Sequence, residues 1–310
     1  MILPVLRGVA DGCDDTLLTP FTRSSRLFWF LLALCAIPSG NAAAVSAVDD
    51  LGRKVELKEP AKRIVSLAPF LTELAYSAGA GKRLVGVSAY SDFPPEARAL
   101  PQVGTAMGPE IEALAALRPD LVLAWEDSIR PGDIERIGRL GMQVFVARAK
   151  RLEDVPRLLE AVGLLAGLDV AGTVHGHRAR MAALRAKHAK RPRVRVFVEV
   201  WHRPLTTIAG AHWINEALDL CGGDNVFREL ALVAPVVSWE ELYARDPEMI
   251  MGAGTEGGET AFRANWSQRA SLSAVRAGRL AYVDADTLQR PTLRLAQGVA
   301  SVCAALEKAR

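Results

Sequence analysis

The chain has 310 residues, half of them hydrophobic and 24% charged, with 25 Gly and 17 Pro. That balance excludes collagen-like, coiled-coil and disordered classes. At roughly 150 residues per domain it allows about two domains, each with a core of its own. The formal net charge is +3, from 38 Lys and Arg against 35 Asp and Glu, without a long run of either sign, so the electrostatic footprint of a nucleic-acid binder is missing.

The slightly positive mean hydropathy, +0.14, has a partly local source. Residues 27–38 read LFWFLLALCAIP, preceded by Arg23 and Arg26 and followed by small residues ending in Asn41-Ala42-Ala43-Ala44. A basic flank, a short apolar core and an Ala-x-Ala site predict a secretory signal peptide over 1–44. The run is short for a membrane span, which needs about 20 apolar residues. Asp11, Asp14 and Asp15 are out of place in such a leader, which puts the expected true start near residue 20. Removing 1–44 takes away Cys13 and Cys35 and leaves Cys221 and Cys303. Two cysteines in an oxidising compartment can pair, but their positions in the sequence do not place them within reach.

From Arg63 onward, short apolar runs alternate with longer amphipathic stretches. The runs at residues 64–67, 84–87, 120–124 and 143–146 are rich in Val and Leu and bounded by turn or polar residues, as buried parallel strands are. Helices are expected at Leu71 to Ala78, at Pro109 to Leu117 with Pro109 in the first turn, and at Gly132 to Leu140. Residues 45–151 therefore read as one βα lobe. Residues 152–191 hold no strand candidate. Their apolar residues, Leu158, Leu159, Val162, Leu165, Val170 and Val174, fit one long bridging helix of about 50 Å at 1.5 Å per residue. The alternative is two helices broken at Gly163, Gly167 or Gly172, since an interior Gly costs about 1 kcal/mol.

Residues 192–310 resume the alternation. Val194 to Val200, Met249 to Met251 and Leu280 to Val283 read as strands. Helices are expected at Trp213 to Leu220, stopped by Gly222-Gly223, at Trp239 to Arg245 and at Thr292 to Lys308. The fold class is α/β: two βα lobes with a ligand cleft between them, joined by one long rigid helix. Ligands in such folds sit outside the carboxyl ends of the strands, and a one-piece bridge implies little opening of the cleft.

Motifs for catalysis are missing. The sequence has no G-x-S-x-G, no G-x-x-x-x-G-K-[ST], no H-E-x-x-H and no Cys-x-x-Cys, so no enzyme activity, no catalytic residue and no bound metal is expected. His175, His177 and His188 lie among Arg and Lys on the bridge, which reads as a solvated face. The aromatic residues are more informative. Strand 120–124 ends in Trp125, strand 194–200 ends in Trp201, and strand 84–88 is followed by Tyr90. One Trp is readily explained by core packing; three aromatics at equivalent strand ends suit a broad, flat, partly apolar ligand. Trp213 and Trp239 begin helices and are expected to pack. Asp286 and Arg290, four apart, form either a local ion pair or a polar pair facing ligand.

Arg63-Ile64-Val65-Ser66-Leu67-Ala68-Pro69 followed by Thr72-Glu73-Leu74-Ala75 resembles the opening of the substrate-binding proteins of ABC importers with a rigid helical hinge, the helical-backbone (class III) superfamily. Val87-Ser88-Ala89-Tyr90-Ser91-Asp92-Phe93-Pro94-Pro95 and Leu117-Arg118-Pro119-Asp120-Leu121-Val122-Leu123-Ala124-Trp125 resemble its periplasmic cobalamin (vitamin B12)-binding branch. Cys221-Gly222-Gly223-Asp224-Asn225-Val226-Phe227 is similar to that family's second lobe. The resemblance covers nearly all of residues 50–308. It implies a periplasmic monomer that captures cobalamin or another corrinoid as transported ligand, with no cofactor, and delivers it to ABC importer permease subunits. It also implies that Tyr90, Trp125 and Trp266 contact the corrinoid, with Asp286 and Arg290 among the polar contacts.

There are departures from the family pattern. Ala106 stands where the family has a Trp, and Trp201 lies one place beyond a family aromatic. A permease-docking glutamate falls on Pro131, leaving Glu126, Asp133 or Glu135 as substitutes in the first lobe and Glu256 or Glu259 in the second. The alternative ligand is haem, with Tyr90, His202 and His212 as the axial candidates, or an iron siderophore.

Overall fold

The computed structural model describes residues 44–254 and 257–310. The leader expected over 1–44, but for its last residue, lies outside them, as does Glu256. The strands Val45–Val48 (β1) and Lys54–Leu57 (β2) pair as an antiparallel hairpin that no apolar run in the sequence announces. After it come Ile64–Ser66 (β3), helix Pro69–Ser77 (α1), Leu84–Val87 (β4), the two-residue strands Gly104–Thr105 (β5) and Gly108–Pro109 (β6), helix Ile111–Leu117 (α2), Leu121–Trp125 (β7), helix Pro131–Arg139 (α3) and Gln143–Ala147 (β8). The four apolar runs are the four strands of a parallel sheet in the order β4-β3-β7-β8. Pro131 opens α3 at its first position, where a missing N–H costs nothing. Pro109 does not open α2: it pairs with Gly104 in the small β5–β6 ladder, and the helix starts at Ile111.

The bridge is two helices, Asp154–Ala166 (α4) and Ala171–His188 (α5), rather than one continuous rod. Gly167 takes the left-handed conformation (φ 63°), which glycine adopts at little cost. The Gly167 N–H donates to Leu164 O and the Leu168 N–H to Gly163 O, at 3.0 and 2.8 Å. That is a Schellman stop. Two residues on, the Asp169 carboxylate accepts the Ala171 N–H at 2.9 Å, which satisfies one of the free donors at the start of the next helix. The His reading also changes, because His177 and His188 are buried and only His175 faces solvent. His188 Nδ1 lies 3.0 Å from the Glu307 carboxylate.

The rest of the chain builds a second sheet from Val194–Trp201 (β9), Thr206–Thr207 (β10), helix Trp213–Cys221 (α6), Gly223–Asn225 (β11), helix Trp239–Arg245 (α7), Met249–Ala253 (β12), helices Gly258–Ser267 (α8) and Ser273–Arg276 (α9), Leu280–Val283 (β13), Ala285–Leu288 (α10) and Leu295–Ala309 (α11). Its order is β10-β9-β12-β13. β11 lies parallel along the first half of β9, and β10 runs antiparallel beside its end. A box between Ser238 and Glu241 caps α7, and Gly222 (φ 79°) ends α6 at the predicted stop.

Period-two alternation divides the core. Leu121 and Leu123 of β7 face α1 and α4, while Val122 and Ala124 face α2 and α3. Met249 and Met251 of β12 join the first of these cores, and Ile250 packs with Phe262 and Trp266 on the other side of the second sheet. One apolar core thus runs continuously beneath both sheets, through α4, α6 and α11. Cys221 and Cys303 form a disulfide that ties α6 to α11, with their Cα atoms 4.7 Å apart and 82 positions apart in sequence. Among the described residues no helix is long and apolar enough to cross a membrane.

Closing a loop of that length removes about 4 kcal/mol of denatured-state chain entropy. The C221S/C303S double variant is expected to fold and to lose stability of that order in urea titration. A loss below about 1 kcal/mol would show that the bond adds little to a helix pair already held by packing.

Candidate functional site

The loops leaving the carboxyl ends of both sheets meet. Arg290, just beyond α10, bonds through Nη1 to Asp92 in the loop after β4 at 2.7 Å and to Glu73 on α1 at 3.2 Å. Its other nitrogen lies 3.1 Å from Asp286, one turn back. Asp286 and Arg290 therefore form the local pair that their spacing suggests, and Arg290 also reaches across to the first sheet. Arg294 clamps the same Glu73 through Nε and Nη2 at 2.9 and 2.6 Å and stacks on the Phe93 ring, 3.9 Å from its centroid. Partial burial raises the Asp92 pKa, but the hydrogen bond and charge of Arg290 outweigh it and leave the carboxyl below its usual range.

The loop that carries Tyr90 is held from beneath by hydroxyls. Thr72 Oγ1 lies 3.0 Å from both Ser66 Oγ and Ser91 Oγ, and Ser88 Oγ is 3.3 Å from Ser91 Oγ, all of them buried. Tyr90 takes φ 63° and is 79% exposed. A non-glycine residue held in the left-handed region, with its ring in solvent, is a common mark of a functional position. Trp125, at the end of β7, is half-buried with its ring edge-on to Phe70 at 6.0 Å. Trp201, at the end of β9, is exposed, and its Nε1 donates to Arg203 O at 3.0 Å.

Trp266 is placed elsewhere. Expected in the cleft, it is fully buried on α8, packed against Phe197, Trp239, Phe262 and His202, with Nε1 donating to the buried Glu199 carboxylate. Phe262 and Trp266 lie one turn apart on α8, and both pack on the second sheet with Phe197 and Ile250. Trp213 and Trp239 pack as expected; Trp213 Nε1 donates to Leu288 O at 2.9 Å. Both histidines weighed as haem ligands are engaged in the fold. His202 Nδ1 lies 3.3 Å from Glu199, and His212 accepts the Ile214 N–H as the cap of α6 while stacking on Trp213. Among the described residues no cluster of His, Cys, Asp and Glu is arranged to hold a metal.

The acids expected at a permease contact differ in their commitments. Glu126 is tied to Arg148, whose hydrogen bonds lower its pKa. Asp133 is largely buried beside Arg136 at 3.8 Å. Glu135 is exposed, and Glu259 is exposed and paired with Arg263 at 2.7 Å. Glu73, Asp92, Phe93 and Arg294 had no role assigned from the sequence. Glu73 sits in an apolar helical stretch, where a lone acid reads as a solvent-facing residue.

Residues 64–287 match the family model described as periplasmic binding protein. The chain belongs to the periplasmic binding protein family. It is 34% identical over 253 residues to the vitamin B12-binding protein of Vibrio cholerae serotype O1, covering 81% of this chain and 91% of that protein. The crystal structure of the periplasmic vitamin B12-binding protein of Vibrio cholerae aligns with a TM-score of 0.74 at 36% identity, over 81% of this chain and 98% of that one. A periplasmic haem-binding protein from Pseudomonas aeruginosa aligns at TM-score 0.67 and 27% identity, over 79% and 92%. The α/β architecture with its helical bridge is that of these binding proteins, and the family's work is substrate binding for transport.

Two measurements follow. Trp266→Ala removes a ring buried among four aromatic neighbours and is expected to cost about 3–5 kcal/mol of stability, read by urea unfolding; a loss under about 1 kcal/mol would show the ring to be dispensable to the core. His212 is held down to about 4 by burial, against about 6.5 in an unfolded chain. The unfolded state takes up the proton first, so this contribution is complete above about pH 6.5 and is lost as pH falls toward 4. Allowing for partial exposure, it amounts to roughly 2 kcal/mol. His212→Asn keeps a capping side chain without the titration. The wild-type-minus-variant stability difference should fall across that window, and a flat difference would contradict it.

Proposed function

We propose that the chain is a periplasmic capture protein for cobalamin or a related corrinoid, which it hands to the permease of an ABC importer. What carries this reading is that the exposed, conformationally constrained Tyr90 and the Asp286–Arg290 pair come from opposite sheets and meet through Asp92, in a chain that spans 91% of a vitamin B12-binding relative. Residues 45–151 and 192–310 act as two lobes, with 152–191 as the bridge. The rings of Tyr90, Trp125 and Trp201 offer flat apolar surface at strand ends, while Asp286 and Arg290 fix orientation through polar groups, the division of labour usual in small-molecule sites. No chemical step is required: binding removes water from a broad ligand face and release returns it.

Residues 1–44 serve as the export signal, and the Cys221–Cys303 disulfide suits an oxidising compartment. The capture protein works as a monomer with no resident cofactor. The exposed Glu135 and Glu259 are the best-placed acids for a permease contact, one on each lobe.

Calorimetric titration with cyanocobalamin and, separately, with haemin tests the ligand. Heat and saturable binding with cyanocobalamin are expected. Tight haemin binding with a shifted Soret band and no cyanocobalamin heat would overturn the assignment. Trp125→Ala should weaken cyanocobalamin at least tenfold, in the range of a buried aromatic contact; unchanged affinity would make this ring a packing residue.

A further inference from the structure

We propose that Glu73 is a positioning residue for ligand capture, its buried carboxylate holding the Arg290 guanidinium of the second sheet against the Tyr90 loop of the first. The inference rests on the assignment of Arg290 to the binding site and extends it to residues that touch no ligand. Glu73 is 2% exposed. A carboxylate so placed must be paired, because leaving one charge buried alone is far costlier than losing an exposed pair. Arg294 supplies the bidentate pairing and Arg290 adds a third bond. Both arginines come from the segment between α10 and α11, so the carboxylate of α1 fixes a segment of the opposite sheet.

Asp92 contributes differently. Its side chain is 40% exposed against 18% for Arg290, so solvent screens this pair more than it screens the pairing with buried Glu73. Asp92 thus holds Arg290 from the solvent side at 2.7 Å, and Glu73 holds it from the buried side at 3.2 Å. The same arrangement holds the Tyr90 loop at its far end, where Arg294 covers Phe93 and Arg290 holds Asp92, while Thr72, the residue before Glu73, braces Ser91. Two adjacent residues of α1 thus hold the loop and its partner arginine in one register. A guanidinium held this way is pre-organised for a ligand and loses less freedom on binding.

The test uses Glu73→Gln, Glu73→Asp and Arg294→Gln in the full chain. In the ligand-free protein, hydrogen exchange followed by mass spectrometry should speed up at least tenfold in segments 88–93 and 289–294 of Glu73→Gln, with α6 and α11 unchanged. Arg294→Gln should reproduce the effect from the other side, and Glu73→Asp should restore part of the protection. In stopped-flow experiments cyanocobalamin should dissociate at least tenfold faster from Glu73→Gln than from wild type. Unchanged exchange in both segments, or unchanged dissociation from a folded variant, would overturn the proposal. A wild-type protein that ignores cyanocobalamin would overturn the assignment of ligand instead, and the ligand-free exchange would still decide the role of Glu73.

Discussion

The central strands of both sheets are buried on both faces, and this constraint shapes everything else. β7 sends alternate residues into two different cores, and β9 and β12 do the same in the second sheet. Helices must then cover every face, which leaves the strand ends as the places where polar and aromatic groups can gather without disrupting a core. One set of ends presents Tyr90, Trp125 and the Glu73 helix; the other presents Trp201 and the Asp286–Arg290 segment. Because one apolar layer runs beneath both sheets, the two sets of ends are held facing one another by burial as well as by ion pairs.

Much of this fold is legible in the sequence because two-sided burial leaves a compositional trace. The runs at 64–67, 84–87, 120–124 and 143–146 carry apolar residues at neighbouring positions rather than alternate ones, as strands covered on both faces do. Where burial is one-sided or pairing very short, the trace fades. The β1–β2 hairpin alternates over only four residues per strand, and β10 and β11 are two and three residues long. The bridge misled for another reason. Apolar spacing continues past Gly167 into α5, so periodicity alone does not mark the corner; the Gly-Leu-Asp sequence does, through a left-handed stop and a carboxylate start.

The candidate site was legible where a large aromatic residue stays exposed against expectation. Tyr90 and Trp201 sit at strand ends and remain in solvent. Trp266 shares their chemistry, but it lies on a helix whose apolar face turns inward, and position relative to a strand end separates the two cases. Glu73 was hidden by its neighbours: in PFLTELAYS one acid on an apolar helix resembles a solvated position, and its partners lie more than two hundred residues away in sequence. Long-range charge pairing has no local signature, so only the fold reveals it.

The corner at Gly167 has a mechanical consequence. A β-carbon there would lie 2.7 Å from the Pro60 ring, the Ala61 N–H donates to Leu165 O at 2.9 Å, and Arg83 reaches both Ala61 O and Ala166 O. The end of α4 is therefore fastened to the approach of β3. The glycine break is thus an anchored bracket, a corner held by the first sheet from which α5 sets out toward its seat on α6 and α11.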